Sequence, residues 1–189
     1  HGITCYLVDW YWVQGRQSLT HWFEAYRRAR YRDQLKVAII WANHNPPGTH
    51  SREDWRAVTR EWIDHYFNLP AYFRIDDRPA VFLWDPRGLR RDLGSEEEVK
   101  AALADSQQMA REAGYAGISF VMMGYGFSAS EFAALREAGF MGWTTYHEWE
   151  HAAVRAWSRQ EVAYEDLVVT SPEAWQQRKS RTDTAGLTY

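Results

Sequence analysis

The sequence predicts an α/β domain in which parallel strands alternate with helices, and three observations carry this. Runs rich in β-branched and aromatic residues begin near residues 3, 36, 79, 117, 140 and 166, and short apolar runs bounded by turn residues read as buried strands. Segments with apolar residues at helical spacing lie between them. The runs start roughly 23 to 43 residues apart, which is room for a helical crossover and too long for hairpins. A chain of 189 residues reads as one domain, 1–189, with about six βα units. Two architectures share this pattern, an open doubly wound sheet and a (β/α)8 barrel. A barrel usually takes about 250 residues, so here it would be incomplete.

Ile3 to Trp12 is the first strand and Gly15 ends it. Ser18 to Asp33 carries Leu19, Trp22, Phe23, Tyr26 and Ala29 on one helical stripe. Lys36 to Trp41 is the second strand, and Asn43 to Gly48 is a polar loop. Ser51, with Asp54 three residues on, opens a helix whose face runs through Trp55, Val58, Trp62, Ile63 and Tyr66. Asp76-Asp77 is a turn before a third strand, Pro79 to Trp84, and Asp85 to Gly88 reads as a loop. Ser95 and Glu98 form a capping-box start to a helix that runs to Gly114. Gly117 to Met123 is the fourth strand, Ser128 to Ala138 a short helix stopped by Gly139, and Phe140 to Tyr146 the fifth strand. Trp149 to Arg159 reads as helix, Asp166 to Thr170 as a sixth strand, and Ser171-Pro172-Glu173 as a loop or helix start.

Composition excludes several classes. With 22 Lys and Arg against 25 Asp and Glu, a basic nucleic-acid surface is not expected. No apolar run approaches the roughly 20 residues of a membrane helix, so no membrane insertion is expected. No signal-peptide pattern precedes the first strand. One Cys rules out an internal disulfide framework, and Cys5, mid-strand among apolar neighbours, reads as a packed thiol. No Gly-x-Gly-x-x-Gly, Walker or Gly-x-Ser-x-Gly motif follows a strand, and no cofactor is expected. The remaining oddity is 11 Trp, 11 Tyr and 8 Phe, 16 % of the chain.

In parallel α/β folds ligands bind at the carboxyl ends of the strands. Those ends carry Asp9, Trp10, Tyr11 and Trp12; Trp41, Asn43, His44 and Asn45; Trp84 and Asp85; Tyr125; and Tyr146. Aromatic plates beside carboxylate, amide and imidazole groups suit a sugar, whose C–H faces stack on rings and whose hydroxyls need paired donors and acceptors. Each ring equally fits a core wedged between sheet and helices. Asp9, Asp85 and Glu148 are strand-end carboxylates, and glycoside cleavage usually takes two. His147-Glu148-Trp149-Glu150-His151 matches the zinc-hydrolase pattern H-E-x-x-H. It follows a strand-like run directly instead of lying within a helix, and no third ligand stands at the usual spacing, so no metal is expected.

Several segments resemble glycoside hydrolase family 99 and family-99-like proteins. They are GITCYLVDWYW (2–12), KVAIIWANHN (36–45), W-x6-W-I-x2-Y-F (55–67) and PAYFRIDDRPAVFLW (70–84), with Asp77 where the family usually has Gly. The likeness extends through 117–124, 139–146 and 171–178. It implies a (β/α)8 barrel that binds or cleaves glycans, with an oligosaccharide or polysaccharide as partner. Characterised members are retaining, metal-independent endo-α-mannosidases, in which one carboxylate assists attack by the substrate's own 2-hydroxyl and a second acts as general acid/base. The family's catalytic glutamates lie in an Asn-Glu-Trp-x-Glu-Gly motif on a late strand, which the resemblance would place beyond Tyr189; a strand before His1 is implied as well. Glu148 is only a fallback, because His147-Glu148-Trp149 falls on an earlier strand and lacks the Gly. The reading is therefore an incomplete barrel holding the sugar-binding wall of a glycan-processing enzyme. A non-catalytic carbohydrate-binding barrel and a zinc hydrolase using His147, Glu148 and His151 are the alternatives. Unpaired edge strands in such a piece predict poor solubility.

Overall fold

A computed structural model describes residues 3–46, 49–146 and 164–188; within 164–170 the only side chain described is that of Glu165. Five parallel strands stand side by side in chain order: β1 (Cys5–Val13), β3 (Lys36–Trp41), β5 (Arg78–Leu83), β6 (Ser119–Met123) and β7 (Gly142–Thr144). Two short antiparallel strands are added, β2 (Arg16–Ser18) on β1 and β4 (Arg74–Ile75) on β5. The helices are α1 (His21–Arg28), α2 (Arg52–His65), α3 (Pro86–Leu93), α4 (Glu96–Glu112), α5 (Ala129–Ala138) and α6 (Tyr164–Ala185). The α/β class with a mainly parallel sheet is as expected, and among the described residues the sheet does not close on itself.

Helices α2 and α3 pack on α4, α4 on α5, and α5 on α6. Parallel strands in chain order with each crossover helix against the next place the helices on one face of the sheet. Register then sorts the side chains, because paired residues of parallel strands share a face and successive residues alternate. Trp10, Trp41, Leu83, Met122 and Trp143 face the helices, while Asp9, Ile40, Phe82, Val121 and Thr144 face away.

The helix face is built from rings. Trp41 lies 5.5 Å from Trp55 and 5.6 Å from Trp62, and Trp10 lies 6.2 Å from Trp41 and 5.7 Å from Trp62. The Trp55 indole N–H donates to the Ala102 carbonyl at 2.8 Å and the Ser106 hydroxyl at 2.6 Å, tying α2 to α4. Helix starts follow their caps: Ser51, Ser95 and Ser128 accept from the backbone N–H three residues on, and Ser128 with Glu131 completes a capping box. Glu131 also receives Arg87 at 2.7 Å, and this bond, with those from Ser128, holds its carboxyl down at about 2, below the ordinary 4.5. Its contribution is present above pH 4.5 and is lost as the pH falls towards 2. Replacing Glu131 with Gln is expected to remove that part of the acid limb and to leave the curve above pH 5 parallel to the wild type, as read by circular dichroism melts across pH.

Four expectations about elements are corrected. Asp85 to Gly88 is not a loop: Asp85 caps α3 by accepting from the Gly88 N–H at 2.8 Å, and Pro86 sits at the helix start, where its missing N–H costs nothing. The first helix begins at His21 and not Ser18, since Leu19 has φ 54° and residues 16–18 pair with β1. It also stops at Arg28, short of Asp33, and a short 3-10 turn covers Arg32–Gln34. Asp166 to Thr170 is not a strand but lies within α6, as a five-residue apolar run does not distinguish the two states. The place beside β7 is taken by Thr188, which exchanges backbone hydrogen bonds of 2.9 Å with Met141 and Trp143. The expected helix at 149–159 lies outside the described residues.

The Asp76-Asp77 turn is present, with φ of 50° and 60°, the two-residue link between β4 and β5. Left-handed backbone costs a side-chain-bearing residue about 1 kcal/mol, so Asp77→Gly is expected to raise the unfolding free energy by about that amount in a urea titration.

Candidate functional site at the carboxyl edge of the sheet

On the face away from the helices, residues from four strand ends meet. Tyr146, just beyond β7, donates its hydroxyl to Asp9 of β1 at 3.2 Å. Four inter-strand steps separate β7 from β1, about 19 Å if the sheet were flat, which is far beyond the joint reach of a tyrosine and an aspartate. The carboxyl edge therefore curls, bringing its first and last strands towards each other. The Tyr146 ring meets Trp84 edge-on at 4.3 Å, Trp84 lies 6.0 Å from the His44 ring, and His44 lies 6.5 Å from Tyr11. Asp9, Tyr11, His44, Trp84 and Tyr146 thus form a chain of rings around one carboxylate.

That carboxylate sets the electrostatics. Its negative charge is the first cause of a raised Tyr146 phenol pKa, with burial and the direct hydrogen bond adding to it. Burial first and Asp9 second raise Tyr11 as well. Both hydroxyls stay protonated at neutral pH and act as donors as well as acceptors.

The remaining strand-end residues do other work. Trp10, Trp12 and Trp41 do not line this face. They have the opposite parity along their strands and are buried on the helix side, Trp41 with no exposed surface. Trp12 gives its indole N–H to Asp54 at 2.8 Å. Asn43 is also buried: its amide N–H donates to the Asp85 carbonyl at 2.8 Å and its oxygen accepts from the Asp85 N–H at 2.7 Å, clamping the ends of β3 and β5. Asp85 spends its carboxylate on the α3 cap. Asn45 donates to the Trp12 carbonyl at 3.2 Å and faces His50 Nε2 at 3.2 Å. Tyr125 lies on the loop after β6, where its carbonyl accepts from Arg87 at 3.3 Å.

Two supporting residues carry no sequence motif. His50, almost fully buried, meets Asp54 through Nδ1 at 2.8 Å, and its ring lies 4.9 Å from Trp41. Asp54 accepts from Trp12 through one oxygen and from His50 through the other, and the Asn45 amide closes the set on Nε2, so His50 carries its proton on Nδ1. This network anchors the segment that presents His44. Spacing alone offers one clue, since His50 and Asp54 stand four apart at a helix start.

Cys5 sits away from this cluster, and burial pushes its thiol up to about 11 against the pull of Lys36, so it is held protonated. Among the described residues no three metal-ligating side chains gather; His147, Glu148, Glu150 and His151 lie outside the described residues. No helix among the described residues is long and apolar enough to cross a membrane. Fold and site together define an α/β domain with an aromatic cluster around the Asp9 carboxylate at the carboxyl edge of a curled parallel sheet. No protein-family model, curated protein or solved structure matches the chain.

Proposed function

We propose that the chain is the sugar-binding wall of a family-99-like (β/α)8 barrel, and that the whole protein processes a glycan, in the family manner as a retaining endo-acting glycoside hydrolase. The observation that carries this reading is the arrangement of Tyr11, His44, Trp84 and Tyr146 about Asp9. Rings offer plates for the C–H faces of a pyranose, and a carboxylate flanked by two phenols grips vicinal hydroxyls. Support for the barrel comes from the strand order, the one-sided helices and the curl of the carboxyl edge. The resemblance in segments 2–12, 36–45 and 70–84 points the same way.

One observation favours a second reading. Asp9 is the carboxylate that touches the ring cluster among the described residues, whereas hydrolysis usually draws on two across a cleft. A carbohydrate-binding barrel without catalysis needs no more than that.

Calorimetry with mannose- and glucose-containing oligosaccharides tests the proposal. Trp84→Ala is expected to weaken binding about tenfold, the cost of roughly one lost stacking contact. Unchanged affinity in Trp84→Ala, or no binding to any of these sugars by the wild type, counts against it.

A further inference from the structure

Building on the glycan reading, we propose that the Asp9 subsite selects a sugar bearing a positively charged amino group over neutral and acidic sugars. Asp9 is half-buried and uses Oδ2 to accept the Tyr146 hydroxyl, and among the described residues no Lys, Arg or His forms an ion pair with it. Among the described residues His21 lines the same depression as Asp9 and Tyr11 and His44 borders the cluster, neither in an ion pair with Asp9, and the nearby arginines are engaged elsewhere. Arg87 binds Glu131 and the carbonyls of Tyr125 and Gly126, and Arg91 reaches the Asn45 carbonyl at 3.5 Å and Asp92 at 3.5 Å. A half-buried carboxylate with no cationic partner among the described residues is a place where a ligand ammonium gains a charged hydrogen bond.

The surroundings fit that ligand. Trp84, Tyr146 and Tyr11 make the surroundings aromatic, and the negatively polarised faces of such rings attract a cation and do nothing comparable for a hydroxyl. An ammonium approaching Asp9 Oδ1 makes a charge-assisted hydrogen bond while Tyr146 keeps Oδ2. The field of Asp9 already opposes negative charge nearby, as the raised phenols of Tyr146 and Tyr11 record. A uronic acid carboxylate would meet the same opposition. His44 reaches the cluster through its ring contacts with Tyr11 and Trp84.

A matched ligand series separates charge from shape: the β-1,4-linked trisaccharides of glucosamine, N-acetylglucosamine and glucose, titrated calorimetrically into the chain at pH 6 and low salt. The glucosamine trimer is expected to bind about tenfold more tightly than the other two, the scale of a desolvated cation–π contact added to a charged hydrogen bond. The advantage should vanish in Asp9→Asn. It should also vanish in the wild type when the pH is raised until the amine loses its proton, an arm that needs no variant to fold. Equal or tighter binding of the glucose trimer by the wild type overturns the charge proposal and leaves the glycan reading standing. Failure of all three, together with the mannose oligosaccharides of the preceding experiment, overturns the glycan reading itself.

Discussion

Trp41→Ala is expected to lower the unfolding free energy by about 3–5 kcal/mol, the range for emptying a fully buried aromatic site. Trp41 has no exposed surface and lies within ring contact of Trp10, His50, Trp55 and Trp62. The void would open between β3 and α2, and neighbours as stiff as indoles close it poorly. The chemistry of the indole sharpens the expectation. Among the described residues Trp41 Nε1 makes no hydrogen bond, whereas Trp55 Nε1 serves Ala102 and Ser106. Trp41→Phe should therefore cost less than Trp55→Phe, which also removes the indole's hydrogen bonds to Ala102 and Ser106, at about 0.5–1.5 kcal/mol each. Urea midpoints of the three variants check this. A Trp41→Ala midpoint equal to the wild type would mean that the ring is not a core residue.

His50→Ala is expected to cost about 2–4 kcal/mol, since it removes a buried ring and leaves groups on Asp54 and Asn45 without their partner. The loss reaches the site, because Asn45 is adjacent to His44 and is held by His50 and the Trp12 carbonyl. Chemical denaturation gives the stability cost, and the His44 imidazole resonances report the local change. A variant as stable as the wild type, with His44 unmoved, would show that the Asp54–His50–Asn45 network is decorative.

The five parallel strands and the starts of α2, α4 and α5 were legible because their signals are local: apolar runs, Ser caps and glycine stops. The strand order that places every helix on one face needed the structure, as crossover length does not say which neighbour a strand joins. Two-residue turns such as Gln14-Gly15 concealed the short β2, whose three residues Arg16, Gln17 and Ser18 carry no strand pattern. The run at 166–170 shows the limit of composition, since its β-branched residues lie in a helix.

For the site, each ring of the aromatic surplus fits a binding wall or a core, and about half of the rings prove to be buried in the core. Strand parity divides the two uses. Tyr6, Val8, Trp10 and Trp12 alternate with Cys5, Leu7, Asp9 and Tyr11, and the charged Asp9 marks the series that does not face the helices. The amide side chains misled for a different reason. Asn43 next to a strand end has the right chemistry for a hydroxyl, and equally for the backbone of the neighbouring strand, which is what it binds.

The most direct measurement of the central claim is a titration of isotopically labelled chain with a neutral mannose or glucose oligosaccharide, followed by chemical-shift changes residue by residue. Shifts are expected to centre on Asp9, Tyr11, His44, Trp84 and Tyr146, with the Trp55 and Trp62 indoles unmoved. Shifts confined to the groove between α5 and α6, lined by Phe132, Arg136, Ser180 and Thr184, would contradict it, as would no shift at any of the five.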